Sequence, residues 1–111
     1  HDALPISRLG YTADVVGNGR EATAALGRAA YDAVLMDMVL PGIDGIEAIT
    51  RIRALQPPLG RIPIIGISGR SEDEAASRAA GADIFLVKPV SPRALATALH
   101  EATSPSAAAT S

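Results

Sequence analysis

One stretch limits what this chain can fold into more than any other: Ala33-Val34-Leu35-Met36-Asp37-Met38-Val39-Leu40-Pro41-Gly42-Ile43-Asp44-Gly45. An apolar run reaches a carboxylate at Asp37. A loop containing Pro41 and Gly42 follows, and a helix is predicted to start after Asp44. A short, continuous apolar run bounded by Pro and Gly is the pattern of a strand buried on both faces, as in parallel sheets. In open α/β sheets the working groups sit just beyond the carboxyl ends of the strands. Asp37 therefore stands where such a sheet would do its chemistry.

Strands and helices are predicted to alternate along the rest of the chain. Thr12 to Val16 is a short strand. Gly17-Asn18-Gly19 is a turn, with Asn18 capping a helix that carries Glu21 three residues on. Ala22, Ala25, Leu26 and Ala29 repeat at helical spacing in that helix. After the central strand, Asp44 and Glu47 form a capping-box-like pair ahead of a stripe of Ile46, Ile49, Ile52 and Leu55. Pro57 and Pro58 end that helix. Ile62 to Ile67 is a second buried strand, with Pro63 near its start, where a missing N–H is tolerated. Ser71 and Glu74 are expected to cap an alanine-rich helix that Gly81 stops. The acidic run Glu72, Asp73, Glu74 is read as a complement to the dipole of that helix. Ile84 to Val87 is the last strand, followed by Lys88-Pro89. Ser91-Pro92 then caps and starts a helix bearing Leu95, Ala98, Leu99 and Ala102. His100, near the end of that helix, is read as a surface residue. This order predicts a doubly wound parallel sheet, in which right-handed crossovers bring all strand ends to one rim.

Composition narrows the function classes. At 111 residues the chain allows one domain with a modest core. Aromatic residues are 3% of it, so that core must be aliphatic. A net charge of −2 offers no basic footprint for nucleic acid. Without Cys, disulfides and thiolate metal sites are excluded. No apolar run approaches membrane-spanning length, and a cytoplasmic location is expected. Residues 1–6 are expected to be a non-native leader, because His-Asp-Ala-Leu-Pro-Ile is the in-frame translation of a common sequencing adapter. Residues 104–111, rich in Ser, Ala and Thr, are expected to be a disordered tail or linker.

Three polar residues hold equivalent places in this pattern. Asp37 follows the central strand, Ser68 the strand that ends at Ile67 and Lys88 the last. On one rim they would combine a carboxylate able to attack phosphorus, a hydroxyl able to donate to a phosphoryl oxygen, and an ammonium able to neutralise one. The chain here resembles the receiver domain of two-component response regulators. The resemblance rests on Asp37 with Met38-Val39-Leu40-Pro41-Gly42-Ile43-Asp44-Gly45, on Ser68, and on Lys88-Pro89 placed 51 positions after Asp37. It covers about residues 7–103, and Gly66 to Asp73 look most like receivers fused to hybrid histidine kinases.

The resemblance implies a flavodoxin-like fold with strand order 2-1-3-4-5. It implies phosphorelay signalling, in which Asp37 accepts a phosphoryl group from a histidine kinase or a histidine phosphotransfer protein. Ser68 would bond the phosphoryl oxygens, and Phe85 would act as the switching aromatic, moving inward as Ser68 moves. Val39 and Arg70 flank the site. Mg²⁺ would be held by Asp37, the backbone carbonyl of Val39 and an acidic pair at the end of the first strand. Homodimerisation through the last helices is a further implied contact; no nucleic acid or membrane partner is implied for this segment.

The sequence departs from the family in one respect: the first strand and its acidic pair are absent. It is thus expected to be a truncated receiver that folds marginally and binds Mg²⁺ poorly. An alternative is a pseudo-receiver, a protein-interaction adaptor that does not use phosphorylation. A phosphatase working through an aspartyl-phosphate is disfavoured, because Val39 stands where a general-acid Asp would be needed.

Overall fold

A computed structural model of the chain describes residues 19–28, 31–38 and 45–103. Along them run α1 (Gly19–Arg28), β1 (Val34–Asp37), α2 (Gly45–Arg53), β2 (Ile64–Ser68), α3 (Glu74–Ala80), β3 (Ile84–Val87) and α4 (Pro92–Thr103). Short 3₁₀ turns occupy Leu59–Arg61 and Ser71–Asp73. The alternation is the predicted one. Several expectations fall outside the described residues: the leader, the Thr12–Val16 strand, the Asn18 and Asp44 caps, the Val39 carbonyl and the 104–111 tail.

The strands form a parallel sheet in the order β1-β2-β3. That agrees with the 3-4-5 side of the expected strand order. β2 is central among them, and all five of its residues are buried. This is why Ile64 to Ile67 read as a continuous apolar run rather than an alternating one. The strand begins two residues later than expected. Pro63 has no N–H to give to a ladder, but its carbonyl accepts the Val34 N–H at 2.8 Å.

Strand alternation divides the core in two. On one face Met36 and Ile64 pack with Leu26 of α1 and with Ala48, Ile49 and Ile52 of α2. On the other, Ile65 and Ile67 pack with Leu95, Ala98 and Leu99 of α4. Ile49, Ile52, Ile64, Ile65, Leu95 and Leu99 are fully buried. Each such side chain contributes roughly 1.5–3 kcal/mol of transfer free energy, so aliphatic packing supplies the cohesion that the few aromatics cannot.

Helix ends follow local chemistry with one exception. Ser91 Oγ accepts the Ala94 N–H at 3.0 Å, the expected cap of α4. Gly81 stops α3 with φ of 129°, a conformation that favours glycine. α2 ends at Arg53, ahead of Pro57 and Pro58. The exception is Ser71. It opens a 3₁₀ turn instead of capping the helix, and Glu74 pairs with Arg78 at 2.8 Å instead of closing a capping box. The cause lies one residue before α3, where the carboxylate of Asp73 makes no cap bond and turns toward β2.

Candidate functional site

The register of the sheet builds the site. Asp37 is the last residue of β1 and pairs with Ile67. Ser68 is the last residue of β2 and pairs with Val87, the last of β3. The ladder continues one step further, with Met38 N–H donating to Ile67 O and Lys88 N–H donating to Ser68 O, both at 2.8 Å. Parallel strands in this register deliver the carboxylate, the hydroxyl and the ammonium to one edge, as the sequence pattern required.

Lys88 Nζ donates to Asp37 Oδ2 at 2.5 Å. The side chains are 45% and 21% exposed, so the pair sits at the rim, open to solvent on the lysine side. An ion pair in such a place adds little to stability. What it does is hold a cation against one oxygen of the carboxylate. The Lys88–Pro89 peptide is cis.

Ser68 is fully buried. Its Oγ donates to Asp73 Oδ2 at 2.6 Å and accepts the Arg70 N–H at 3.1 Å. Arg70 is within 4.0 Å of Asp73 Oδ1 and 3.9 Å of Glu72 Oε2. Phe85 is buried on the Gly66 and Ser77 side of the sheet, its Cδ1 lying 3.4 Å from the place a Cβ on Gly66 would take. The resemblance expected an inward movement of Phe85; in this state the ring already lies inside. Asp37, Lys88 and Ser68 are thus on one edge, Phe85 lies one layer beneath, and Val39 is outside the described residues.

Three contributors were not legible in the sequence. Asp73 was read as a dipole complement, yet it accepts the Ser68 hydroxyl hydrogen bond. Ser77 is fully buried beside Gly66, and its Oγ has no hydrogen-bond partner among the described residues. Arg53 donates to the carbonyls of Gly81 (2.8 and 3.0 Å), Gly60 (2.9 Å) and Ile62 (2.7 Å) and to Asp83 Oδ2 (3.0 Å). It thereby ties α2 to the turns that enter β2 and β3. Asp83 Oδ2 also accepts the Ile64 N–H at 2.9 Å, which fixes where β2 begins. The one sequence signal for Asp73 was its acidic character close after Ser68; nothing periodic marks the other two.

A parallel sheet with helices on both faces and an Asp, Ser and Lys on its carboxyl edge places the chain among doubly wound α/β modules of the flavodoxin-like class. The family model for the response regulator receiver domain matches residues 3–100, and the chain belongs to that family. Receiver domains are signalling modules of two-component systems. The chain is 39% identical over 87 residues to the transcriptional regulatory protein TcrA of Mycobacterium tuberculosis, covering 78% of this chain and 34% of TcrA. It is 29% identical to histidine kinase 5 of Arabidopsis thaliana over 123 residues, covering 86% of this chain and 13% of that protein. A solved receiver domain of a sensor histidine kinase from Pseudomonas aeruginosa PAO1 matches with a TM-score of 0.75 and 34% identity, covering 88% of this chain and 81% of that one. That domain holds a magnesium ion in its active-site cleft. The chain spans about a third of the length of TcrA. No helix among the described residues is long and apolar enough to cross a membrane.

Proposed function

We propose that this receiver domain takes a phosphoryl group on Asp37 from a phosphohistidine of a histidine kinase or phosphotransfer protein. The observation that carries the reading is the Lys88 ammonium seated on Asp37 Oδ2 at 2.5 Å, on the same edge as Ser68. In the transfer an Asp37 oxygen attacks phosphorus. The P–N bond breaks, an O–P bond forms, and the imidazole leaves with a proton. As the O–P bond forms, Lys88 neutralises one phosphoryl oxygen and the Ser68 hydroxyl donates to another. Water later attacks the phosphorus of the acyl phosphate and returns the carboxylate and inorganic phosphate. The domain switches state through added charge, with Ser68 and Phe85 as its moving parts.

Magnesium belongs to this proposal as an ion that Asp37 and the Val39 carbonyl would hold as ligands. The described residues do not by themselves fit it: among them no three His, Cys, Asp or Glu side chains gather as a metal site. Magnesium accepts one or two carboxylates and fills its shell with water and phosphate oxygens. Asp37 supplies one carboxylate, and Lys88 already occupies its Oδ2. No step above runs through the ion.

The test is labelling with a small phosphodonor such as phosphoramidate, read by intact mass, with Asp37→Asn as control. Labelling of the wild type and none of the variant is expected. Labelling retained in Asp37→Asn would remove Asp37 from its place. Absence of labelling in a folded wild type would leave the adaptor reading, in which this surface binds partners without phosphorylation.

A further inference from the structure

We infer that Asp73 is a brake on phosphorylation, holding the hydroxyl of Ser68 away from the acceptor site until a phosphoryl group competes for it. The inference rests on the reading of Asp37 as phosphoacceptor and names a residue that regulates the same site.

A serine hydroxyl has one donor and two acceptor lone pairs. The Ser68 donor is spent on Asp73 Oδ2 at 2.6 Å, and one lone pair takes the Arg70 N–H at 3.1 Å. A hydrogen bond to a carboxylate is roughly twice as strong as one between neutral groups. Ser68 is fully buried, so no solvent competes for that proton from its side. It cannot donate to Asp73 and to a phosphoryl oxygen at once. The backbone of Ser68 stays put, because its carbonyl accepts the Lys88 N–H and it is in register with Val87. Exchange of acceptor is therefore a rotation about one side-chain bond, not a movement of the sheet.

Asp73 also has somewhere to go. Its side chain is 29% exposed, and the Arg70 guanidinium is within 4.0 Å of Oδ1. Once Ser68 turns away, water and Arg70 can take over the carboxylate. A phosphoryl group adds roughly 1.5–2 negative charges and three strong acceptor oxygens, enough to outbid one carboxylate. In the unphosphorylated domain the competent rotamer is the minor one, and the observed rate of phosphorylation is reduced by that fraction.

The experiment measures labelling rates with phosphoramidate in magnesium-containing buffer. Asp73→Ala is expected to label faster than wild type by about tenfold, equivalent to about 1.4 kcal/mol. Asp73→Asn keeps a neutral acceptor and is expected to fall between; it carries the test if Asp73→Ala does not fold. In a Ser68→Ala background the same Asp73 substitutions are expected to change nothing. Glu74→Ala, which removes a neighbouring charge, is expected to label at the wild-type rate. The amide resonance of Arg70 gives a readout independent of rate. In unphosphorylated Asp73→Ala it should lie displaced toward its position in the phosphorylated wild type. Equal or slower labelling of Asp73→Ala, or an acceleration that survives Ser68→Ala, would overturn the brake while leaving Asp37 as acceptor. A wild type that takes no label would remove the acceptor and the brake together.

Discussion

Gly66 lies two residues before Ser68 in the central strand, and replacing it with alanine tests the packing on which the site rests. A Cβ there would stand 2.3 Å from Ser77 Oγ, 3.4 Å from Phe85 Cδ1 and 3.5 Å from Ser77 Cβ. The first distance is a clash; the other two are ordinary contacts. Ser77 is fully buried, so its hydroxyl has little room to turn, and α3 must back away from the sheet. Overpacking of this kind costs about 1–3 kcal/mol, and a single hydroxyl in conflict places Gly66→Ala at about 2 kcal/mol. Ser77→Ala removes the offending atom. It also removes a buried hydroxyl that has no partner among the described residues, so alone it should be neutral or stabilise by up to about 1 kcal/mol. The double variant then has the nearest remaining atoms at contact distance, and Gly66→Ala should cost less than about 0.5 kcal/mol in that background. Urea unfolding of the four proteins measures the cycle. In melting temperature the single Gly66→Ala loss is about 10 °C for a domain of this size. An equal cost of Gly66→Ala with and without the Ser77 hydroxyl would refute the packing argument.

Other perturbations follow from the same geometry. Arg53→Ala abandons three carbonyls and a carboxylate at once and is expected to cost about 3 kcal/mol in denaturant unfolding. A loss below about 1 kcal/mol would mean that water replaces the guanidinium freely. Lys88→Ala should change stability by less than about 1 kcal/mol, because its pair with Asp37 is half open to solvent. The same variant should slow phosphodonor labelling by about tenfold to a hundredfold; an unchanged rate would show that the ammonium does not meet the phosphoryl group. Calorimetric titration with Mg²⁺ is expected to show weak binding, because Asp37 is one carboxylate and the ion keeps most of its waters. A tighter site would mean that carboxylates beyond Asp37 reach the ion.

Much of this protein could be read locally. Apolar runs ending in Asp37, near Ser68 and before Lys88 announced three parallel strands, of which only β2 is buried along its whole length, and parallel strands of similar length carry their ends to one rim by geometry alone. Ser91, Pro92 and Gly81 marked helix ends because capping and positive φ are decided within a few residues. The family followed from the spacing of the same three polar groups. The Ser71 cap failed for a physical reason: a local propensity competed with an acceptor geometry set by the neighbouring strand, and the 3₁₀ turn swung Asp73 under Ser68 instead.

The tertiary structure alone decided the partners. Asp73 lies five residues after Ser68, but no local pattern says that its carboxylate accepts the Ser68 hydroxyl hydrogen bond; that depends on how α3 packs against β2. Ser77 is one more small residue in an alanine-rich helix until Gly66 lets it approach the sheet. Arg53 looks like a helix-end cation until the turns at Gly60 and Gly81, far apart in sequence, converge on its guanidinium. Sequence by itself determined which residues are polar at strand ends, and hence the rim and its Asp37, Ser68 and Lys88. Side-chain hydrogen bonds between elements depend on register, helix placement and rotamer together, so what Ser68 holds in the resting domain was fixed only when the elements packed.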